Sequence, residues 1–397
     1  MTNPESVGMS TARLERVSKW AQEYVDAGKL AGILAMVART DQVCYSETFG
    51  NRDREKGLPM EHDTVLRIYS MTKPITSVAV MMLYEEACFQ LDDPVRKFIP
   101  ELDGLKVCTG EDARGPTMVG QSNPITIRQL LSHTAGLSYG FYPGSTVDRL
   151  YQSANVLDPD STLEEMMHKL SRLPLAHEPG SEWKYSVATD VLGRLVEVVS
   201  GEAFDQFLAH RVFDPLGMTD TGFYVREDQI DRFAQLYGPG GNGTIEPMES
   251  PVLGRFTREC RLFSGGGGLV STAGDYMRFC RMLLRGGELD GARLLSPRTV
   301  ETMTMNHLRD GLLPMKMGDY TMDGYGFGLG FSVLTDLRDA GVLGSVGEYA
   351  WGGAASTKFW IDPQQELIGI LMTQFMPNDY YPIRNEFQVL VNQAIVA

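Results

Sequence analysis

Ser70 and Lys73 stand three residues apart in RIYSMTKPITSVAVMMLYEEA, residues 67–87, and no further charge follows until Glu85. Lysine is almost never fully buried without a partner, because desolvating its ammonium is costly. A lysine at the head of an apolar helix, one turn from a serine, is either a structural coincidence or a base beside a nucleophile. On a helix the two side chains share a face. Burial lowers such a lysine toward its neutral, proton-accepting form, and the helix N-terminus offers positive potential to a developing oxyanion. Pro74 fits if it lies in the first helical turn, where its missing N–H costs nothing.

Other segments imitate this chemistry and fail on context. Ser181 and Lys184 repeat the spacing in GSEWKYS, but they follow Pro179-Gly180, a turn without a helix start. GLSYG, residues 136–140, matches GxSxG with Ser138 at its centre. A nucleophile elbow needs a strand before its serine and a helix straight after it. Helical TIRQLLSHTA precedes Ser138, and the loop FYPGST follows. The run SGGGGLVSTAGDYMRF, from Ser264, sets its glycines before an apolar segment and has no lysine to complete a phosphate loop. It reads as close backbone packing, then a helix capped from Ser271 or Thr272 with Asp275 in its first turn.

His133, in LLSHTAGL, reads as a structural hydrogen-bonding residue past a helix end. No histidine is spaced with a second histidine or a carboxylate as a metal pair. Cys44, Cys88, Cys108, Cys260 and Cys280 show neither a CxxC pair nor zinc spacing. No metal and no other cofactor is expected. Tyr185 begins a helix in EWKYSVATDVLGRLVE, as a core phenol or as a proton-transfer group. After Trp351, in GEYAWGGAASTKFWID, Gly352, Gly353, Ala354 and Ala355 leave a strand edge bare. Such an edge serves close packing of two backbones, or a substrate whose carbonyl meets a backbone N–H.

These residues need a scaffold to bring them together. Ser10 can cap an amphipathic helix to about Ala27, with Leu14, Val17, Ala21 and Val25 on one stripe. GILAMVAR and VCYSETFG, joined by TDQ, read as a β-hairpin. From the Ser70 helix to about residue 220 the patterns are helical or loop-like: TIRQLLSHT, TLEEMMHKLSRL, ATDVLGRLVEVVS and AFDQFLAHRVF. A polar, Gly-rich surface excursion lies between Asp103 and Pro124. β-like patterning resumes in TGFYV, FGLGFSVL, YAWGGAASTKFWID and ELIGILMTQ, and YPIRNEFQVLVNQAIV closes the chain as a helix. The pattern predicts an α/β (α+β) fold. An antiparallel sheet flanked by the terminal helices comes from residues 1–75 and 222–397, a mostly helical domain from 76–221 is inserted, and the site lies in the cleft between.

With 397 residues, 43% of them hydrophobic, the chain has ample material for a core. A net charge of −15 argues against nucleic acid or an anionic membrane as partner, since phosphate contacts need a clustered basic face. Five scattered cysteines imply reduced thiols and a cytoplasmic location. The start has no basic segment followed by an apolar one, and no apolar run approaches a membrane span of about 18 residues.

Ser70-x-x-Lys73 at a helix start, then HTAGL, Tyr185, GGGGLVST and a WGG strand near the C-terminus come in a recognisable order. Over nearly its whole length the chain resembles the serine β-lactamase/penicillin-binding-protein superfamily, and within it the family VIII carboxylesterases, which are similar to class C β-lactamases. The resemblance implies a β-lactamase/transpeptidase-like fold, Ser70 as nucleophile, Lys73 as its base, and Tyr185 as second base and acid. It also implies an oxyanion hole from the backbone N–H groups of Ser70 and Ala354. Two departures bear on substrate. Val187 replaces the asparagine of Tyr-x-Asn, and Trp351-Gly352-Gly353 replaces Lys-Thr-Gly. The losses remove an amide that holds an acylamino group and a cation that holds a carboxylate, so the expected function is that of a serine carboxylesterase acting on short-chain esters through a Ser70 acyl-enzyme, with lactams and peptidoglycan disfavoured. The rival readings are a β-lactamase or D,D-peptidase, an acyltransferase, and a non-catalytic binding protein.

Overall fold

In the computed structural model, which describes residues 1–113, 115–142, 144–249 and 254–397, the expected hairpin forms from β1 (Gly32–Arg39) and β2 (Gln42–Asp53). Thr40 and Asp41 turn it with φ of 48° and 62°, the left-handed pair that matches the twist of a two-residue hairpin. β3 (Leu58–Pro59), β4 (Tyr325–Phe327), β5 (Ser332–Leu334), β6 (Tyr349–Gly352), β7 (Lys358–Asp362) and β8 (Leu367–Met372) extend it. The order is β4-β5-β6-β7-β8-β1-β2-β3, with every neighbouring pair antiparallel. All eight strands lie within residues 32–59 and 325–372, so the long segment between them adds none to this sheet.

The α-helices of five residues or more among the described residues are α1 (Thr11–Asp26), α2 (Thr72–Glu85), α3 (Ile127–Leu131), α4 (Thr146–Ser153), α5 (Leu163–Leu170), α6 (Ala188–Ser200), α7 (Phe204–Leu208), α8 (Ala273–Leu284), α9 (Pro297–Thr304) and α10 (Ile383–Asn392). Alternation along the strands sorts side chains onto two faces. Ile33, Ala35, Val37, Trp360, Leu367 and Leu371 share a core with Leu14 and Val17 of α1 and Phe387 and Val391 of α10. Leu34, Phe359, Ile361, Ile368 and Ile370 face the larger core, which continues through α2 into the helices beyond. The terminal helices are tied directly, since Trp20 Nε1 and Tyr24 Oη both donate to Glu386 Oε2, at 2.8 and 2.9 Å.

Local signals account for several helix starts. Capping boxes open α3 at Thr126 with Gln129 and α5 at Thr162 with Glu165. Thr272 caps α8 by accepting the Asp275 N–H at 3.2 Å. Ser10 stands at the N-cap of α1 without a side-chain bond there; the Glu5 carboxylate accepts the Thr11 N–H instead, at 2.9 Å. Three segments differ from expectation. The 103–124 excursion is mostly exposed among its described residues, with Leu105 and Val107 buried, and it folds as a hairpin of Lys106–Asp112 with Gly115–Gly120. TGFYV joins the main sheet nowhere: Gly222 bridges Val270, and Phe223 packs on Phe204 and Phe263 at 5.6 and 5.1 Å. Its alternation therefore serves a helix-side contact. YAWGGAASTKFWID turns back on itself as β6 and β7, closed by Gly353 N–H to Thr357 O at 3.0 Å.

Candidate active site

Tyr69–Met71 form a single 3-10 turn that runs into α2 at Thr72, which places Pro74 in the first helical turn. Tyr69 holds a φ of 42°, costly for a bulky residue, with its ring edge-on to Phe256 at 5.7 Å. Ser70 thus sits at a tightly turned helix entrance. Lys73 is 1% exposed, and its Nζ lies 3.2 Å from Ser70 Oγ and 2.6 Å from the Gly266 carbonyl. The rings of Tyr185 and Tyr139 lie 4.5 and 5.0 Å from the same nitrogen. Burial pulls this amine down to about 7, against the Asp190 charge, which pulls it up. A lysine so placed is about half neutral at pH 7, and in that form it can take a proton.

The glycine run after Ser264 supplies the Gly266 carbonyl. A Cβ at Gly266 would stand 2.5 Å from both Asp190 Oδ2 and Tyr139 Oη, so close backbone packing is what the run does. Tyr185 completes the group beside Ser70. Burial pushes its phenol up, while polar contacts with Ser70 and with Trp351 pull it back. Trp351 Nε1 donates to Tyr185 Oη at 3.3 Å, and the two rings lie 5.4 Å apart. His133 packs its ring 4.9 Å from that of Tyr185 and places Nδ1 3.4 Å from Ser186 Oγ. Burial, and Lys73 nearby, hold His133 well below its ordinary value, so it is neutral.

β6 ends against the Ser70 turn. A Cβ at Gly353 would stand 2.3 Å from the Ile68 carbonyl, and one at Gly352 would stand 3.0 Å from Arg384 Cζ. The missing side chains of both glycines therefore make room for protein. Ala354 follows directly, partly exposed. Trp351 itself is only 8% exposed. Val187 is buried at the N-cap of α6.

The imitating segments are elsewhere occupied. Ser138 is fully buried, and its Oγ accepts the Gly140 N–H at 3.2 Å, with α3 as the nearest regular element before it. Ser181 is exposed, and Lys184 pairs with Asp148 at 3.2 Å. Among the described residues no cluster of three or more His, Cys, Asp or Glu side chains could hold a metal ion.

Three residues at the site escaped the sequence reading. Asp190, fully buried on α6, accepts from Ser264 Oγ at 2.5 Å and from the Gly266 N–H at 3.1 Å. Asp190 shares its helix stripe with Arg194 and Glu197, so nothing in the local pattern set it apart as Lys73 was set apart. Tyr139 stacks on Phe141 at 4.6 Å and forms a side of the Lys73 cage. Arg384, in the first turn of α10, donates to the Gly353 carbonyl.

The order and placement of these parts match the Beta-lactamase family model, which covers residues 17–393. The chain belongs to the Beta-lactamase family. Its similar relatives include Protein Rv1367c of Mycobacterium tuberculosis, 38% identical over 367 residues (90% of this chain, 89% of that one). Esterase EstB of Burkholderia gladioli is 33% identical over 364 residues, 87% of this chain and 86% of its own. Among solved structures, EstCE1, a hydrolase with promiscuous acyltransferase activity, superposes with a TM-score of 0.81 at 29% identity. That likeness covers 97% of this chain and 99% of EstCE1. This member of the Beta-lactamase family thus has the β-lactamase/transpeptidase-like fold, a large antiparallel sheet with helices packed on it. No helix among its described residues is long and apolar enough to cross a membrane.

Proposed function

We propose that this chain is a serine carboxylesterase that hydrolyses small uncharged esters of short acyl chains through an acyl-enzyme on Ser70. Esterase chemistry of the hydrolase type is supported by the family and by the likeness to EstB. The observation that carries the reading is the buried Lys73 amine, near neutrality and 3.2 Å from Ser70 Oγ.

Ser70 Oγ attacks the ester carbonyl carbon as its proton passes to the Lys73 amine. The carbonyl oxygen becomes an oxyanion held by the N–H groups of Ser70 and Ala354, which the packing of β6 on the Ile68–Ser70 turn supports. The Tyr185 phenol, between Ser70 and Trp351, relays the proton to the departing alcohol. A water then gives a proton to the same Lys73/Tyr185 pair and attacks the acyl carbon, releasing the acid and restoring Ser70. The site lies in the cleft between the sheet unit (1–75 and 222–397) and the helical unit (76–221). A cytoplasmic location belongs to the same reading, supported by five free cysteines.

Substrate class follows from what replaces two polar groups. A hydrogen bond to a charged group contributes about 1.5–3 kcal/mol, so the missing lysine weakens a lactam carboxylate roughly 10- to 150-fold. The indole N–H at that place is engaged with Tyr185. The test is kcat/KM for p-nitrophenyl butyrate, for longer p-nitrophenyl esters and for nitrocefin under one set of conditions. Butyrate is expected to exceed the others; a higher value for nitrocefin would overturn the ester assignment. Acyl transfer to an alcohol is the second reading, favoured by the likeness to EstCE1. Preferential formation of a new ester when an alcohol is added would establish it.

A further inference from the structure

Arg384 rises from α10, which packs on the face of the sheet opposite α2, and its guanidinium reaches the backbone of the proposed oxyanion strand. From this geometry we propose that Arg384 is a positioning residue of the oxyanion hole. By binding the Gly353 carbonyl it orients and polarises the Gly353–Ala354 peptide, and so presents the Ala354 N–H to the reacting carbonyl oxygen. The proposal rests on the Ser70 reading above.

The Gly353 C=O and the Ala354 N–H are the two ends of one planar peptide unit, pointing in opposite directions. Fixing one end fixes the other. Arg384 Nη2 donates to the Gly353 oxygen. Asn378, in the amide orientation its hydrogen bonds require, accepts from Arg384 Nη1 at 2.6 Å and Nη2 at 3.2 Å. Nε stays buried without a hydrogen-bond partner among the described residues, so the Gly353 and Asn378 bonds set the side chain's orientation and leave its third nitrogen unbonded.

The strand is built to admit this contact. A Cβ at Gly352 would stand 2.8 Å from Thr357 O and 3.0 Å from both Cζ and Nη2 of Arg384, so a side chain there would crowd the turn and the guanidinium together. The preceding peptide is also clamped, since the Gly353 N–H donates to Thr357 O at 3.0 Å and to Thr357 Oγ1 at 3.1 Å. The glycine's open side lies against Ile68 O. The Ala354 peptide thus has a charged donor behind it and the nucleophile turn beside it.

A charge-assisted hydrogen bond is roughly twice as strong as a neutral one, and in a low-dielectric site it polarises the bonds in line with it. As the ester carbonyl gains negative charge, the Ala354 N–H becomes the next link from carbonyl oxygen to guanidinium. Burial lowers Arg384 only to about 10, so it stays cationic at neutral pH. Its charge adds favourable potential where the oxyanion forms.

The test measures the second-order rate at which a neutral fluorophosphonate modifies Ser70, beside steady-state kinetics with p-nitrophenyl butyrate. The phosphoryl oxygen of the probe takes the oxyanion position. Arg384→Met is expected to slow both labelling and kcat roughly 10- to 50-fold with KM nearly unchanged. That is less than the loss on deleting a donor outright. Arg384→Lys, which keeps a cation, is expected to recover part of the loss. Labelling and kcat at the parent rate in Arg384→Met would overturn the proposal. So would a loss confined to p-nitrophenyl hemiglutarate, whose free carboxylate would then be what Arg384 binds. If Arg384→Met fails to fold, Asn378→Ala decides: a drop in kcat with KM nearly unchanged supports the proposal, and parent kinetics overturn it. A parent enzyme that the probe leaves unmodified at Ser70 would bring down the esterase reading itself, and this proposal with it.

Discussion

Lys73 is desolvated on an apolar helix, and the burial that lowers its amine to about 7 works against the nearby Asp190 carboxylate. Only the neutral amine can accept the Ser70 proton. Ester kcat/KM is therefore expected to rise with pH through about 7 and then level off; a flat profile between pH 5 and 9 would contradict this role. The same burial opposes folding. The unfolded chain keeps the Lys73 proton up to its ordinary value near 10.5, while the folded chain releases it near 7. Stability due to this group therefore rises with pH across that window, and its burial cost is fully present below 7. Lys73→Met is expected to abolish turnover and to stabilise the protein by about 2 kcal/mol at pH 6, the gain shrinking toward pH 10. Urea unfolding at the two pH values checks it; a Met variant weaker than the parent at pH 6 would contradict it. Asp190→Asn removes the charge that raises Lys73, so its acid limb is expected to move to lower pH as the weaker base lowers the plateau roughly 10-fold. An unmoved limb would show that Lys73 does not feel that carboxylate.

Between β7 and β8, Trp360 lies directly across from Gly369, and a Cβ at that glycine would meet the indole at 2.2 Å. Trp360 is fully buried and packs edge-on to Phe387 of α10 at 5.3 Å, so it has no room to withdraw. Gly369→Ala is expected to destabilise the sheet by about 2 kcal/mol in urea unfolding, with kcat/KM per folded molecule retained; unchanged stability would contradict the packing. Elements with an unbroken period were legible in the sequence: α1, α2, the β1–β2 hairpin, β8 and α10. TGFYV misled because alternating Phe223 and Val225 answer to buried contacts outside the sheet. The β6–β7 hairpin was missed although GGAAST opens on Gly-Gly, a turn signal, because its run of small residues reads equally as a bare strand edge. At the site, Ser70 and Lys73 were legible because one helical turn joins them. The Gly266 carbonyl that holds Lys73 is 193 residues away, and Trp351 is 166 from Tyr185. No local pattern encodes such pairings, and Asp190 and Arg384 were missed for the same reason.

Across the whole molecule, the proposed catalytic geometry depends on closure of the chain's two ends. α10 carries Arg384 to the oxyanion strand and is itself held to α1 through Glu386, while α2 presents Ser70 from the opposite face of the sheet. The fold therefore converges on one hydroxyl. Mass spectrometry of peptides from protein quenched during turnover of p-nitrophenyl butyrate tests this most directly. One butyryl group is expected on the peptide containing Ser70, with both adduct and turnover lost in Ser70→Ala. A butyryl group on Ser138 or any other residue, or undiminished turnover in Ser70→Ala, would contradict the assignment of Ser70 as the nucleophile.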